Sequence, residues 1–172
     1  MFKKVILAVC LAASLINIAD AKGLSGIADK TSALNRYSSH YRILSPRSPQ
    51  EAAKAFEKYF NAGDLEGMLS LHDKNIAFIP SPGTQLNQPD QIRQALKQFL
   101  SLKLPIDMKV RHIYQADNIA LIIFDWSIQG VDPAGKQVNL KGTGADIVRK
   151  QMDGSWLYLF DNPFGTTSSN TQ

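Results

Sequence analysis

Apolar positions recur at helical spacing from residue 48 to about residue 100 and then give way to the spacing of strands. Ser48-Pro49-Gln50-Glu51 is a capping box with proline at the first helical position, and Ala52, Phe56, Tyr59 and Phe60 follow on one helical face. Asn61-Ala62-Gly63 closes this helix. Asp64 caps a second, shorter one, with Leu65, Met68, Leu69 and Leu71 facing inward. Residues 75–79 read as a short strand, stopped by Pro80-Ser81-Pro82-Gly83. A third helix starts near Pro89-Asp90 and carries Ile92, Ala95, Leu96, Phe99 and Leu100 as its stripe.

Beyond Pro105 the periodicity is that of strands, predicted over 107–114, 119–128, 138–150 and 156–161. Turn signals at Ala116-Asp117-Asn118, Asp132-Pro133-Ala134-Gly135 and Asp153-Gly154 join them as a meander. Helices first and antiparallel strands afterwards argue an α+β fold, three N-terminal helices packed on a curved antiparallel sheet. The stretch 119–124 is apolar on both faces, so both faces need cover, and the helices supply only one.

The chain has 172 residues, 44% hydrophobic and 20% charged, which suits one globular domain with its own core. The net charge of +4 is spread without a block of Lys and Arg among aromatics, which argues against nucleic acid as a partner. Residues 1–21 have the layout of a signal peptide. Met1-Phe2-Lys3-Lys4 is the basic start, an apolar run reaches Ile18, and Ala19-Asp20-Ala21 offers small residues for cleavage after Ala21. The apolar run falls short of the roughly 20 residues that span a bilayer, so no stable membrane anchor is expected after cleavage, and the protein is expected in the periplasm or secreted. Cys10 lies inside this segment, which leaves the mature chain without a thiol for catalysis, metal ligation or a disulfide. Residues 22–47 read as a flexible extension with a short helix near 27–34, residues 48–165 as the domain, and residues 166–172 as a disordered tail.

Three stretches carry a resemblance. Asn61-Ala-Gly-Asp-Leu-Glu-Gly67 is similar to a turn between two helices, and Ser101-Leu-Lys-Leu-Pro-Ile106 to the lead-in of the long strands. Gly144-Ala-Asp-Ile-Val-Arg149, followed by Asp153-Gly-Ser-Trp156 and Phe160-Asp-Asn-Pro163, is similar to a final hairpin. Together they resemble the NTF2-like superfamily, the cone-shaped fold of ketosteroid isomerases, and most closely its SnoaL-like/DUF4440 branch. The resemblance implies an apolar pocket between helices and sheet, and often a homodimer through the sheet's other face. Carried over residue by residue, the acid of the ketosteroid isomerase oxyanion hole is matched by Asp146. The position of its base is held by Ser81 and that of its tyrosine by Phe56. A serine is no general base without an activating partner, and phenylalanine donates no hydrogen bond, so this resemblance does not extend to steroid isomerisation.

Asp146 lies among apolar neighbours on a strand. It reads either as a pocket acid whose pKa burial raises or as a structural carboxylate satisfied by nearby donors. Strand parity sets Gly142, Gly144, Asp146 and Val148 on one face, and the glycines there either leave room for a ligand or mark a bend. Asp125 shares a face with Ile123 and Ser127; if that face is concave, Asp125 approaches Asp146 and the two divide acid and base roles, and otherwise Asp125 belongs to a polar network near the strand end. Phe56, Tyr59 and Ser81 from the first half, and His112, Tyr114, Ile123 and Val148 from the strands, are the candidate pocket residues. His112 suits acid–base work or a structural place on its strand. His40 and His72 share no ligand spacing with it, so no metal site and no cofactor are expected. Three functions follow as expectations. The first is an exported domain binding a small apolar oxygenated ligand, the second a SnoaL-type acid–base enzyme, and the third a dimeric interaction module.

Overall fold

A computed structural model describes residues 45–167. The expected signal segment, Cys10, the short helix near 27–34 and the end of the tail fall outside them.

The helices begin and end where their caps dictate. In α1 (Pro49–Ala62) the Ser48 hydroxyl accepts from the Glu51 N–H and Pro49 fills the first turn. The helix closes at Gly63, whose φ of 67° is the left-handed conformation that glycine enters without a side-chain penalty. Directly afterwards Asp64 accepts from the Gly67 N–H and opens α2 (Leu65–Ser70). The third helix, α3 (Pro89–Leu100), starts at proline without a side-chain cap and buries Ile92 and Leu96.

Six strands form one sheet: β1 (His72–Ser81), β2 (Thr84–Leu86), β3 (Ile106–Ala116), β4 (Ile119–Val131), β5 (Gln137–Lys150) and β6 (Trp156–Asp161). Their order is β2-β1-β6-β5-β4-β3. The expected meander β3 to β6 is present. The sheet departs from the expected all-antiparallel one at a single junction, where β1 runs parallel to β6. A parallel neighbour needs a long crossover, and the chain from β1 through α3 to β5 supplies it. The first strand is also longer than expected. It crosses the Pro80 break and turns into β2, with the Ser81 hydroxyl donating to Thr84 Oγ1 at 3.0 Å.

The helices cover one face of the sheet. Ala52, Tyr59, Phe60, Met68, Ile92 and Leu96 from the helices share a core with Ile122, Phe124, Ile128, Val148 and Tyr158 from the strands. Along β4 burial alternates strictly: Ala120, Ile122, Phe124, Trp126 and Ile128 point into the core, and the residues between them point to the opposite face. Asn61 ties α1 to the sheet by accepting from the Ile106 N–H and donating to the Ile106 carbonyl.

Both ends of the domain are pinned. Trp156 N–H donates to the Pro46 carbonyl at 2.8 Å and the Arg47 guanidinium to the Asp153 carbonyl, so the chain docks on the last hairpin from residue 46 onward. At the other end Thr167 N–H closes a turn onto Phe164. Asp73, at the start of β1, holds the end of β5 through Arg149 (3.0 and 2.6 Å) and Gln151 (2.8 Å).

Candidate functional site

Between α1, α3 and the covered sheet face lies a cavity of about 50 Å³. A buried water needs roughly 10–15 Å³ by the same kind of measure, so the space suits several waters or a ligand of a few heavy atoms. Its wall carries six aromatic side chains: Phe56, Phe60, Phe78, Phe99, Phe124 and Trp126. Two of them lie on β4 directly above glycines of β5. A Cβ at Gly144 would collide with the Phe124 ring, and one at Gly142 would stand 2.9 Å from Trp126 Nε1. The glycine room expected for a ligand is thus filled by these rings. Trp126 is further fixed by donating from Nε1 to the Pro163 carbonyl at 2.6 Å.

Asp146 and Asp161 are the acidic residues of the lining. Asp146 pairs across the sheet with Ile122, a core position, which puts its side chain on the covered face, 3% exposed. Its Oδ1 accepts from the Asn162 N–H at 2.7 Å. Burial, and then the neighbouring Asp161, push its carboxyl well above the usual carboxylate range, against the smaller opposing pull of that N–H. Both readings of Asp146 therefore hold part of the truth: it has a backbone donor, and it also lines a cavity as a buried acid.

Asp161, 4% exposed at the end of β6, brings two further groups with it. His72 Nε2 stands 3.4 Å from Asp161 Oδ2, within ion-pair range but without hydrogen-bond geometry. Tyr158 lies three residues earlier on β6, with Phe56 edge-on at 5.8 Å and the His72 ring at 6.4 Å. Its phenol is pushed well above the ordinary tyrosine value by burial, and further by Asp146 and Asp161. His72 Nε2, Tyr158 Oη and Asp161 Oδ2 are buried without a hydrogen-bond partner. A buried polar atom left unsatisfied costs about 1–3 kcal/mol, so three together behind one cavity mark a place where the fold spends stability.

Most of the other expected site residues lie elsewhere. Phe56 lines the cavity. Asp125 faces the opposite side of the sheet, where it accepts from Arg111 Nε at 2.6 Å and the Thr143 hydroxyl at 2.9 Å. The approach of Asp125 to Asp146 therefore fails on strand parity, because Asp146 pairs with Ile122 and Asp125 with Thr143. Arg111, then Thr143, hold the Asp125 carboxyl below its ordinary value, as in the polar network that was the other reading. Ile123 shares that outer face. His112 would lie inward by simple alternation with Val110, but a bulge between them turns it to pair with Ile123. His112 and Tyr114 are exposed and stack on each other, centroids 5.9 Å apart. Ser81 is exposed at the end of β1. Tyr59 is buried with its ring against Gly67 of α2, and Val148 is buried beside Ala120 and Tyr158, neither of them on the cavity wall. Among the described residues no group of three or more His, Cys, Asp or Glu side chains could hold a metal ion.

Sequence reasoning missed His72 and Tyr158 as site residues. The signal available was the inward alternation of Trp156 and Tyr158 and a second acid at the strand end. What it lacked was the pairing of β1 with β6, which alone brings His72 to Tyr158.

No curated protein matches the chain. Solved structures with the same fold include a protein of Planctomyces limnophilus DSM 3776, at 18% identity and a TM-score of 0.59, covering 71% of this chain and 94% of that one. A ketosteroid isomerase-like protein of Erwinia carotovora atroseptica SCRI1043 matches at 16% identity and a TM-score of 0.53, covering 64% of this chain and 88% of that one. The model of the SnoaL-like domain matches residues 52–159, most of the described fold. The cavity, the helix-covered mixed sheet and this match agree: the chain belongs to the SnoaL-like family of the NTF2-like superfamily.

Proposed function

We propose that this domain binds a small, largely apolar molecule in the cavity, with the ligand's one polar group against Asp146 and Asp161. The observation that carries the reading is the pair of buried carboxyls on an otherwise aromatic wall, with Asp161 Oδ2 left without a hydrogen bond. Two kinds of head group meet that floor. A neutral oxygenated one accepts from a protonated Asp146, and a cationic one answers carboxylate charge. The test is thermal unfolding of the full chain with a set of small ketones, alcohols and amines. At a concentration of about 100 times Kd a true ligand raises Tm by roughly 5 °C or more. The rise should vanish in Ile128→Phe, which fills the cavity. No shift with any compound would overturn the ligand reading.

The carboxyl pair also favours an acid–base enzyme as a second reading. Two neighbouring acids of which one holds its proton provide a donor and an acceptor across a bound substrate. In this reading Asp161 takes the place that the sequence suggested for Asp125. Export to the periplasm or beyond remains the proposal made from residues 1–21.

The outer face of the sheet supports a proposal of homodimerisation. Tyr114, Leu121, Ile147 and Phe160 pair in register across β3, β4, β5 and β6 as one apolar row. Tyr114 is 59% and Phe160 39% exposed, an arrangement that a second copy would cover.

A further inference from the structure

We propose that the occupant of the cavity is a small organic cation, an alkyl- or methylammonium group seated among the aromatic rings and against the Asp146 and Asp161 carboxyls. This rests on the reading of the cavity as a ligand site and narrows it to one class of ligand.

The first ground is the charge of the lining. Among the described residues it holds two acids and no Lys, Arg or His. Asp161 has His72 at 3.4 Å, which can answer one carboxylate. Asp146 meets the Asn162 N–H and no cationic side chain at hydrogen-bond distance among the described residues. Among the described residues there is thus at most one positive group for two carboxyls, and none of them is a counter-ion to the second. Burial and the neighbouring Asp161 favour a proton on Asp146; an ammonium group would serve in its place.

The second ground is the wall. Phe56, Phe60, Phe78, Phe99, Phe124 and Trp126 surround these acids in a space of about 50 Å³. A neutral apolar ligand would be served equally by aliphatic side chains. Aromatic faces add an attraction for cations, strongest for tryptophan and strongest away from water. Trp126 is held by its bond to Pro163, and Phe124 by its seat on Gly144, so both rings are fixed in advance of binding.

The proton balance gives the proposal a signature. An ammonium ion entering from water seats against an ionised Asp146, so the carboxyl proton leaves for solvent and the ligand keeps its own. A neutral alcohol or ketone requires no such release, because it uses the proton of Asp146 as its hydrogen bond.

The experiment is calorimetric titration of the full chain with tert-butylammonium and with tert-butanol, its near-isosteric neutral counterpart, in two buffers of different ionisation enthalpy. We expect the ammonium to bind at least about tenfold more tightly, with proton release. Its affinity should climb with pH, by up to about tenfold per unit below the pKa of Asp146, while that of tert-butanol does not climb. Asp146→Asn should abolish both the preference and the release. Should that variant fail to fold, the buffer and pH measurements on the unaltered chain still decide. Equal or tighter binding of tert-butanol would overturn the cation and leave the ligand site standing. Binding of neither compound would also overturn the cation, and the broader compound set then decides the ligand site by itself.

Discussion

Asp73 and Asp146 are both buried carboxyls on neighbouring parts of one sheet, and their surroundings drive them in opposite directions. Burial alone would raise the Asp73 carboxyl, but hydrogen bonds from Arg149, the Asn75 N–H and Gln151 outweigh it and hold the acid below its usual value. Such a group stabilises the fold above its unfolded pKa of about 3.9, and that stability is lost as pH falls towards the lower folded value. Asp73→Asn is therefore expected to lower stability near pH 7 by about 3 kcal/mol, the low end for breaking a buried pair because Arg149 is partly exposed. The variant should also lose part of the acid limb of the wild-type profile. Chemical denaturation at several pH values measures both. Asp146 has the reverse sign. Its folded pKa is raised, so its unfavourable share is absent at low pH and grows as pH rises from about 4 through the folded value.

At the scale of elements, what could be read in advance was whatever depends on neighbours in sequence. Ser48, Gly63 and Asp64 fix two helices through hydrogen bonds within four residues, with Pro49 setting φ in the first turn, and the chain spells these out directly. Parity along a single strand was equally legible: Gly142, Gly144 and Asp146 do share a face. Which face meets the helices was not, because residues 119–124 of β4 are apolar on both sides and only the register with β5 decides. That is why both readings of Asp125 stayed open in the sequence, until the register put it in the polar network with Arg111 and Thr143. The side on which His112 lies was decided by a one-residue bulge that the sequence does not announce, and His72 was overlooked because its partners lie on β6, far away in sequence. The glycine seats of β5 belong to this scale too. Gly144→Ala drives a methyl group into the Phe124 ring, which must shift toward the cavity. Overpacking of this kind costs about 1–3 kcal/mol. Chemical denaturation should show that loss together with weaker ligand binding; an unchanged variant would mean that the ring has another place to go.

The whole molecule presents two faces of one sheet with different tasks. The inner face holds a small cavity and spends stability on unpaired polar atoms. The outer face leaves a row of apolar side chains half-covered. If that row is the interface of a homodimer, sedimentation should find the wild type as a dimer, and Leu121→Lys combined with Phe160→Lys should give a folded monomer. A monomeric wild type at high micromolar concentration would remove the interface and leave the cavity as the place of function. The fold itself restrains neither choice, since structures below 20% identity share it and fold alone does not fix chemistry.

Asp146 and Asp161, the two acids lining the cavity, carry the proposed site. Its most direct test is an NMR titration of carbon-labelled aspartate carboxyls in the full chain, with Asp146→Asn and Asp161→Asn used for assignment. The prediction is that Asp146 keeps its proton well above the usual carboxylate range and that replacing Asp161 by Asn lowers its midpoint. An Asp146 that titrates near 4, indifferent to Asp161, would contradict the paired buried acids and with them the site proposed for this protein.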